Sequence, residues 1–116
     1  GLPATAAERV AEGAQAVLGA PALAEFFDPA RLAWAGNEVP VAAGGEALRI
    51  DRLVRVAAGP RQGWWVLDYK LGAAAPELAR NREQLARYRD AVAALQPGEP
   101  VRAAFIAGRG ELHELG

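Results

Sequence analysis

The 116-residue chain contains no cysteine, which excludes a disulfide framework and a thiolate metal site. It contains no methionine either and opens Gly1-Leu2-Pro3. That reads as a fragment of a longer polypeptide, with part of any active site lying upstream of residue 1. A basic excess is missing: the formal net charge is −1. No overall positive field therefore advertises a stand-alone nucleic-acid binder, although local arginine clusters still serve. No apolar run reaches the length of a membrane span, and no signal peptide is evident. The expectation is a soluble cytoplasmic domain with no membrane partner. No Walker-type glycine-rich motif occurs, so ATPase or helicase activity lies outside these residues. Gly59 and Gly63 read as turn residues, because no helix N-terminus follows them to bind phosphate.

What the chain does have is apolar residues, 52% of the total, although much of that is alanine. The length and the apolar content suit one domain spanning 1–116. Residues 4–18 read as a helix, with Thr5 and Glu8 as a capping box and Val10, Ala14, Val17 and Leu18 as a stripe. A short helix follows from Ala22 to Phe27, closed by Asp28-Pro29. A strand at 31–42 carries Pro40, which places it at a sheet edge or a bulge. Gly44-Gly45 makes the next turn. Two strands then form a hairpin at 47–57 and 63–71, and a helix runs from Pro76 to about Leu95, stopped by Gln96-Pro97-Gly98. Strands at Val101 to Ala107 and Glu111 to Leu115 complete an order α-βββ-α-ββ. The long helix crosses over to a later strand, which predicts one parallel pairing in a mixed sheet.

The chemistry concentrates in the hairpin, in Ile50-Asp51-Arg52-Leu53-Val54 and Trp64-Trp65-Val66-Leu67-Asp68-Tyr69-Lys70. Asp68 and Lys70 are two apart and share one strand face. A turn centred between Pro60 and Arg61 pairs Lys70 with Asp51 and Asp68 with Leu53. One hairpin face then holds Arg49, Asp51, Leu53, Arg55, Trp64, Val66, Asp68 and Lys70. The other is apolar, running through Leu48, Ile50, Val54, Val56, Trp65, Leu67, Tyr69 and Leu71, with only Arg52 out of place. Two carboxylates and an ammonium on one face suit a divalent cation and the activation of water against a phosphodiester.

Ile50-Asp51-Arg52-Leu53-Val54, Val66-Leu67-Asp68-Tyr69-Lys70 and Gln84-Leu85-Ala86-Arg87-Tyr88, in that order and at ordinary spacing, resemble the PD-(D/E)XK nuclease core. The likeness is closest to the RecB/AddA branch, the C-terminal nuclease domain of UvrD-like helicase-nucleases, and covers roughly residues 34–108. The resemblance implies a restriction-endonuclease-like α/β fold, with a mixed central sheet and flanking helices. It implies metal-dependent hydrolysis of DNA in double-strand-break processing and recombinational repair. In that reading Asp51, Asp68 and the Tyr69 backbone carbonyl hold Mg²⁺ or Mn²⁺, and Lys70 orients the attacking water. Gln84, Arg87 and Tyr88 contact DNA, and Glu38 reads either as an acid behind the metal ligands or as a strand-edge charge. The implied partners are single-stranded DNA, a helicase motor in the same chain and a second helicase-nuclease subunit, at the bacterial nucleoid.

One element of the branch is missing. Its further ligand, a His in G-x-x-x-H or a Glu on the helix before the sheet, has no counterpart: helix 4–18 offers only Glu8 and Glu12, and His113 is at the wrong end of the chain. The alternative is therefore a nuclease fold that no longer cuts and grips DNA or a partner subunit. Plainer readings also stay open. Asp51 also reads as a hairpin charge beside Arg49 or Arg52, Asp68–Lys70 as a surface pair, and Tyr88 as core. Trp64 and Trp65 read as packing, the arginines at 80, 82, 87 and 89 as a solvated helix face, and His113 as a surface residue.

Overall fold

The computed structural model describes residues 23–70, 79, 81–107 and 110–115. The helix expected at 4–18, with Glu8 and Glu12, lies outside them, as does the start of the helix expected from Pro76. Among the described residues, helix α1 spans Ala24–Phe27, and strands β1, β2 and β3 span Leu32–Ala43, Glu46–Val56 and Gly63–Lys70. Helix α2 spans Arg82–Leu95, and strands β4 and β5 span Val101–Ala107 and Glu111–Glu114. The five strands form one mixed sheet in the order β1-β2-β3-β4-β5. Only β3 and β4 pair in parallel, across the helical crossover; the other neighbours are antiparallel. The domain is thus a small mixed α/β fold, and no helix among the described residues is long and apolar enough to cross a membrane.

Local chemistry accounts for these boundaries. The Asp28 N–H closes α1 on the Ala24 carbonyl at 2.9 Å, and the Asp28 side chain then accepts from the Ala30 N–H to start a single 3₁₀ turn at Pro29–Arg31. Pro40 lies on β1, an edge strand, where the proline costs least. Gly44 and Gly45 both take positive φ, +58° and +83°, as a tight two-residue hairpin turn requires.

The β2–β3 register differs from the expected one by two residues. Leu53 faces Val66 rather than Asp68, and Val56 faces Gly63. The connecting loop is centred one residue earlier than a Pro60–Arg61 turn, because Gly59 takes φ +93° and its carbonyl accepts from the Gln62 N–H at 3.1 Å. A shift of two preserves side-chain parity, so the residues sharing a face on β3 are unchanged.

On the central strands β3 and β4 both faces are buried, which corrects the expected division into a polar and an apolar side. Leu53, Trp64 and Val66 pack with Leu85 and Val92 of α2 and with Ala103 and Phe105 of β4. On the opposite face Val54, Val56, Trp65 and Leu67 pack with Leu23, Phe26, Ala104 and Ile106. A parallel pair at the centre of a sheet is normally covered on both sides, and here helices supply the cover. Ile50 is the clearest exception to the sequence pattern. It belongs with Leu53 in the α2-facing cluster, not with Val54 and Val56. Trp64 and Trp65 are both core residues, as read from the sequence.

Gly63 is where the fold is least tolerant. Its φ is +123°, and a Cβ there would lie 2.8 Å from both the Pro100 carbonyl oxygen and its Cγ. The adjacent Trp64 N–H donates to that same carbonyl at 3.0 Å, so the approach cannot open without losing a bond. Gly63→Ala is expected to destabilise the chain by about 2 kcal/mol from strain and contact together. Urea unfolding checks this; a loss below about 0.5 kcal/mol would mean that Pro100 yields freely.

Candidate active site

The site forms where the β2–β3 ladder stops. The last pairing is Arg52 with Leu67. One residue further along, the Asp51 carboxylate takes over the role of a strand carbonyl and accepts the Tyr69 N–H at 3.0 Å. The cause is visible on the other side of β2. The β1–β2 ladder runs through Asn37 opposite Arg52 and then Val39 opposite Ile50, and between these pairs Glu38 has φ +50°. A non-glycine residue in that region signals a local break in strand geometry. The break places Asp51 between strands and carries Ile50 to the α2-facing side.

On β3, Asp68 and Lys70 extend the face of Trp64 and Val66. Lys70 Nζ lies 3.2 Å from Asp68 Oδ2. The Asp68 carboxyl is also close enough to that of Asp51 to share a hydrogen bond. Asp68 is 8% exposed. Burial, first, and the hydrogen bond with Asp51, second, push its pKa up to about 6, while the hydrogen bond and charge of Lys70 pull the other way. Two acids, one of them nearly buried, and one ammonium therefore meet at the end of one hairpin.

This donor set fits a hard divalent cation. Both side chains offer carboxylate oxygens, the ligands that such a cation takes. Among the described residues no group of three or more His, Cys, Asp or Glu is assembled, so what they offer is a carboxylate pair. Mg²⁺ commonly binds through one or two carboxylates and keeps several waters.

The other sequence candidates are placed differently. Gln84 and Tyr88 sit one turn apart on α2, where the Gln84 amide donates to the Tyr88 hydroxyl at 3.0 Å. Tyr88 is also packed against the α2-facing core, so its ring serves as core while its hydroxyl meets Gln84. Arg87 points to Glu46, with which it forms an exposed ion pair. Glu38 is exposed and opposite Asp51 on β1. The Tyr69 side chain lies on the far face, packed against the α1-facing cluster. His113 is exposed beside Glu111.

Arg52 is the residue that sequence reasoning undervalued. It is 9% exposed, and its Nε donates to the Phe26 carbonyl at 3.0 Å while Nη1 donates to Asn37 Oδ1 at 2.8 Å. Its guanidinium stacks 4.6 Å above the Phe27 ring. The signal was present, since Arg52 was the single charge on an otherwise apolar strand face. Glu99 was also missed. It accepts from Arg55 and from the Trp64 indole at 2.9 Å, tying the loop after α2 to the hairpin.

No family model matches this chain, and no curated protein matches it in sequence.

Proposed function

We propose that this chain is a nuclease domain of the PD-(D/E)XK type, hydrolysing DNA phosphodiesters with Mg²⁺ or Mn²⁺. The observation that carries the reading is the convergence of Asp51, Asp68 and Lys70 at the point where β2 leaves β3. The element order and the parallel β3–β4 pair across a helix are in keeping with that core. Asp51 and Asp68 would hold the cation, with the Tyr69 carbonyl as a further oxygen. A bound cation supplies Lewis-acid polarisation of the phosphate and eases deprotonation of water. Lys70 holds the attacking water and offsets charge that develops on the phosphate oxygens. The water oxygen bonds to phosphorus, the P–O3′ bond breaks, the 3′ oxygen takes up a proton, and a 5′-phosphate remains. The substrate is a single strand delivered by a helicase motor, in the same polypeptide or a partner subunit, in the bacterial cytoplasm at the nucleoid.

A second reading is a nuclease fold that grips DNA or a partner subunit without cutting. It is favoured by Gln84 and Tyr88 being engaged with each other and Arg87 with Glu46. Cleavage of a labelled single-stranded oligonucleotide separates the two. The nuclease reading expects cutting with Mn²⁺ that Asp68→Ala and Lys70→Ala abolish while circular dichroism stays unchanged. Undiminished cutting by Asp68→Ala ends it. Salt-sensitive DNA binding with no cutting at any cation concentration selects the gripping module.

A further inference from the structure

Arg52 is an expensive residue in its place. Arg52 is 9% exposed, and its two acceptors, a main-chain carbonyl and a side-chain amide, are both neutral. A buried cation without a carboxylate is costly unless its hydrogen bonds fix something. Its acceptors come from two other elements. Asn37 lies directly across the ladder on β1, next to Glu38 and its positive φ. Phe26 belongs to α1, and the adjacent Phe27 ring lies under the guanidinium. Arg52 thus bolts β2 to β1 and to α1 at the residue that follows Asp51. Arg52 is also the last residue of β2 paired with β3, so holding it in place fixes the main chain from which the Asp51 side chain departs.

We infer that Arg52 is a positioning residue for the carboxylate pair: its fork to Asn37 and Phe26 holds β2 at the break opposite Glu38, so that Asp51 reaches the Tyr69 N–H and Asp68. The inference deepens the nuclease reading and rests on it for its functional meaning, but its geometric content stands on the Asp51–Tyr69 bond. Side chains that orient ligands without touching the metal matter by about ten- to a hundredfold in affinity. A lysine cannot replace the fork, because it is a point donor on a flexible stem.

The test uses Arg52→Met, Arg52→Lys and Asn37→Ala in the 116-residue chain. It follows the Tyr69 amide by ¹⁵N–¹H NMR and Mn²⁺ binding by paramagnetic broadening. Arg52→Met is expected to move the Tyr69 amide proton upfield and shorten its exchange protection, leaving β4, β5 and α2 amides in place. Mn²⁺ affinity falls about tenfold or more. Arg52→Lys restores part of the shift, and Asn37→Ala, which changes an exposed side chain, gives a smaller shift of the same sign. If Arg52→Met fails to fold, Asn37→Ala decides alone. A Tyr69 amide unmoved in the folded variants overturns the inference whatever happens to Mn²⁺. A shifted Tyr69 amide in a chain whose wild type binds no Mn²⁺ supports the positioning of Asp51 and removes the metal-dependent reading.

Discussion

On the nuclease reading proposed above, Asp68→Asn is expected to cut DNA at least about a hundredfold more slowly and yet to be more stable than the wild type at pH 8. The loss follows from removing a proposed cation ligand and the partner of Lys70. The gain follows from linkage. The folded-state pKa of Asp68 is about 6 against an ordinary value of 3.8, raised first by burial and then by the hydrogen bond with Asp51. The folded chain therefore holds this proton more tightly than the unfolded chain does. Stability from Asp68 is greatest below pH 3.8 and falls as pH rises from there to about 6. The total is about 3 kcal/mol for a shift of roughly two units. Asparagine stays neutral throughout and avoids that loss, although it gives Lys70 no counter-charge. A net gain of about 2 kcal/mol at pH 8, roughly 8 °C in Tm, is the expected result. Near pH 4 the variant and the wild type should converge. Calorimetry at both pH values checks this, and a variant less stable at pH 8 than at pH 4 relative to wild type would remove the buried-charge account. Activity gained by binding chemistry at a cost in stability is a common arrangement for a functional site.

The parts of this fold that were legible in the sequence are those marked by backbone punctuation. Gly44-Gly45 and Pro97-Gly98 fixed where β1 and α2 end, because few other residues take those conformations. The crossover helix between two strands was enough to predict the parallel β3–β4 pair. Register was not legible to the residue. It depends on where a six-residue loop has its tightest turn, and that turn was set by the positive φ of Gly59 and the Gln62–Gly59 bond. A strict two-residue period also failed at Ile50, since no composition rule announces the φ +50° of Glu38 on the neighbouring strand. The carboxylate pair survived both errors. A two-residue slip keeps parity, and Asp51 reaches Tyr69 and Asp68 from between the strands rather than from the face assigned to it. Arg52 shows the converse. A lone charge on an apolar strand face was noted as an exception, when it marked the bolt that shapes the site.

The same proton that burdens Asp68 should compete with the cation. Mn²⁺ needs ionised carboxylate oxygens, and binding therefore releases whatever proton the pair holds. Above the Asp68 pKa of about 6 the pair carries little proton, and Mn²⁺ affinity should be nearly flat with pH. Below it, each pH unit should weaken binding about tenfold, so that affinity at pH 5 is roughly a tenth of that at pH 7. The thermal shift gives the readout: at Mn²⁺ a hundred times its dissociation constant, folding gains about 2.7 kcal/mol at pH 7.5. The gain should shrink at pH 5. Asp51→Asn should lose it at both values while keeping the fold, because an asparagine oxygen can still accept the Tyr69 N–H that Asp51 accepts at 3.0 Å. Asp68→Asn should lose the Mn²⁺ effect too, but from a higher starting Tm. A Mn²⁺-induced rise in Tm equal at pH 5 and pH 7.5 would place the cation elsewhere on the chain. An equal rise in Asp51→Asn would do the same, and either result would separate the metal from the carboxylates that the fold has brought together.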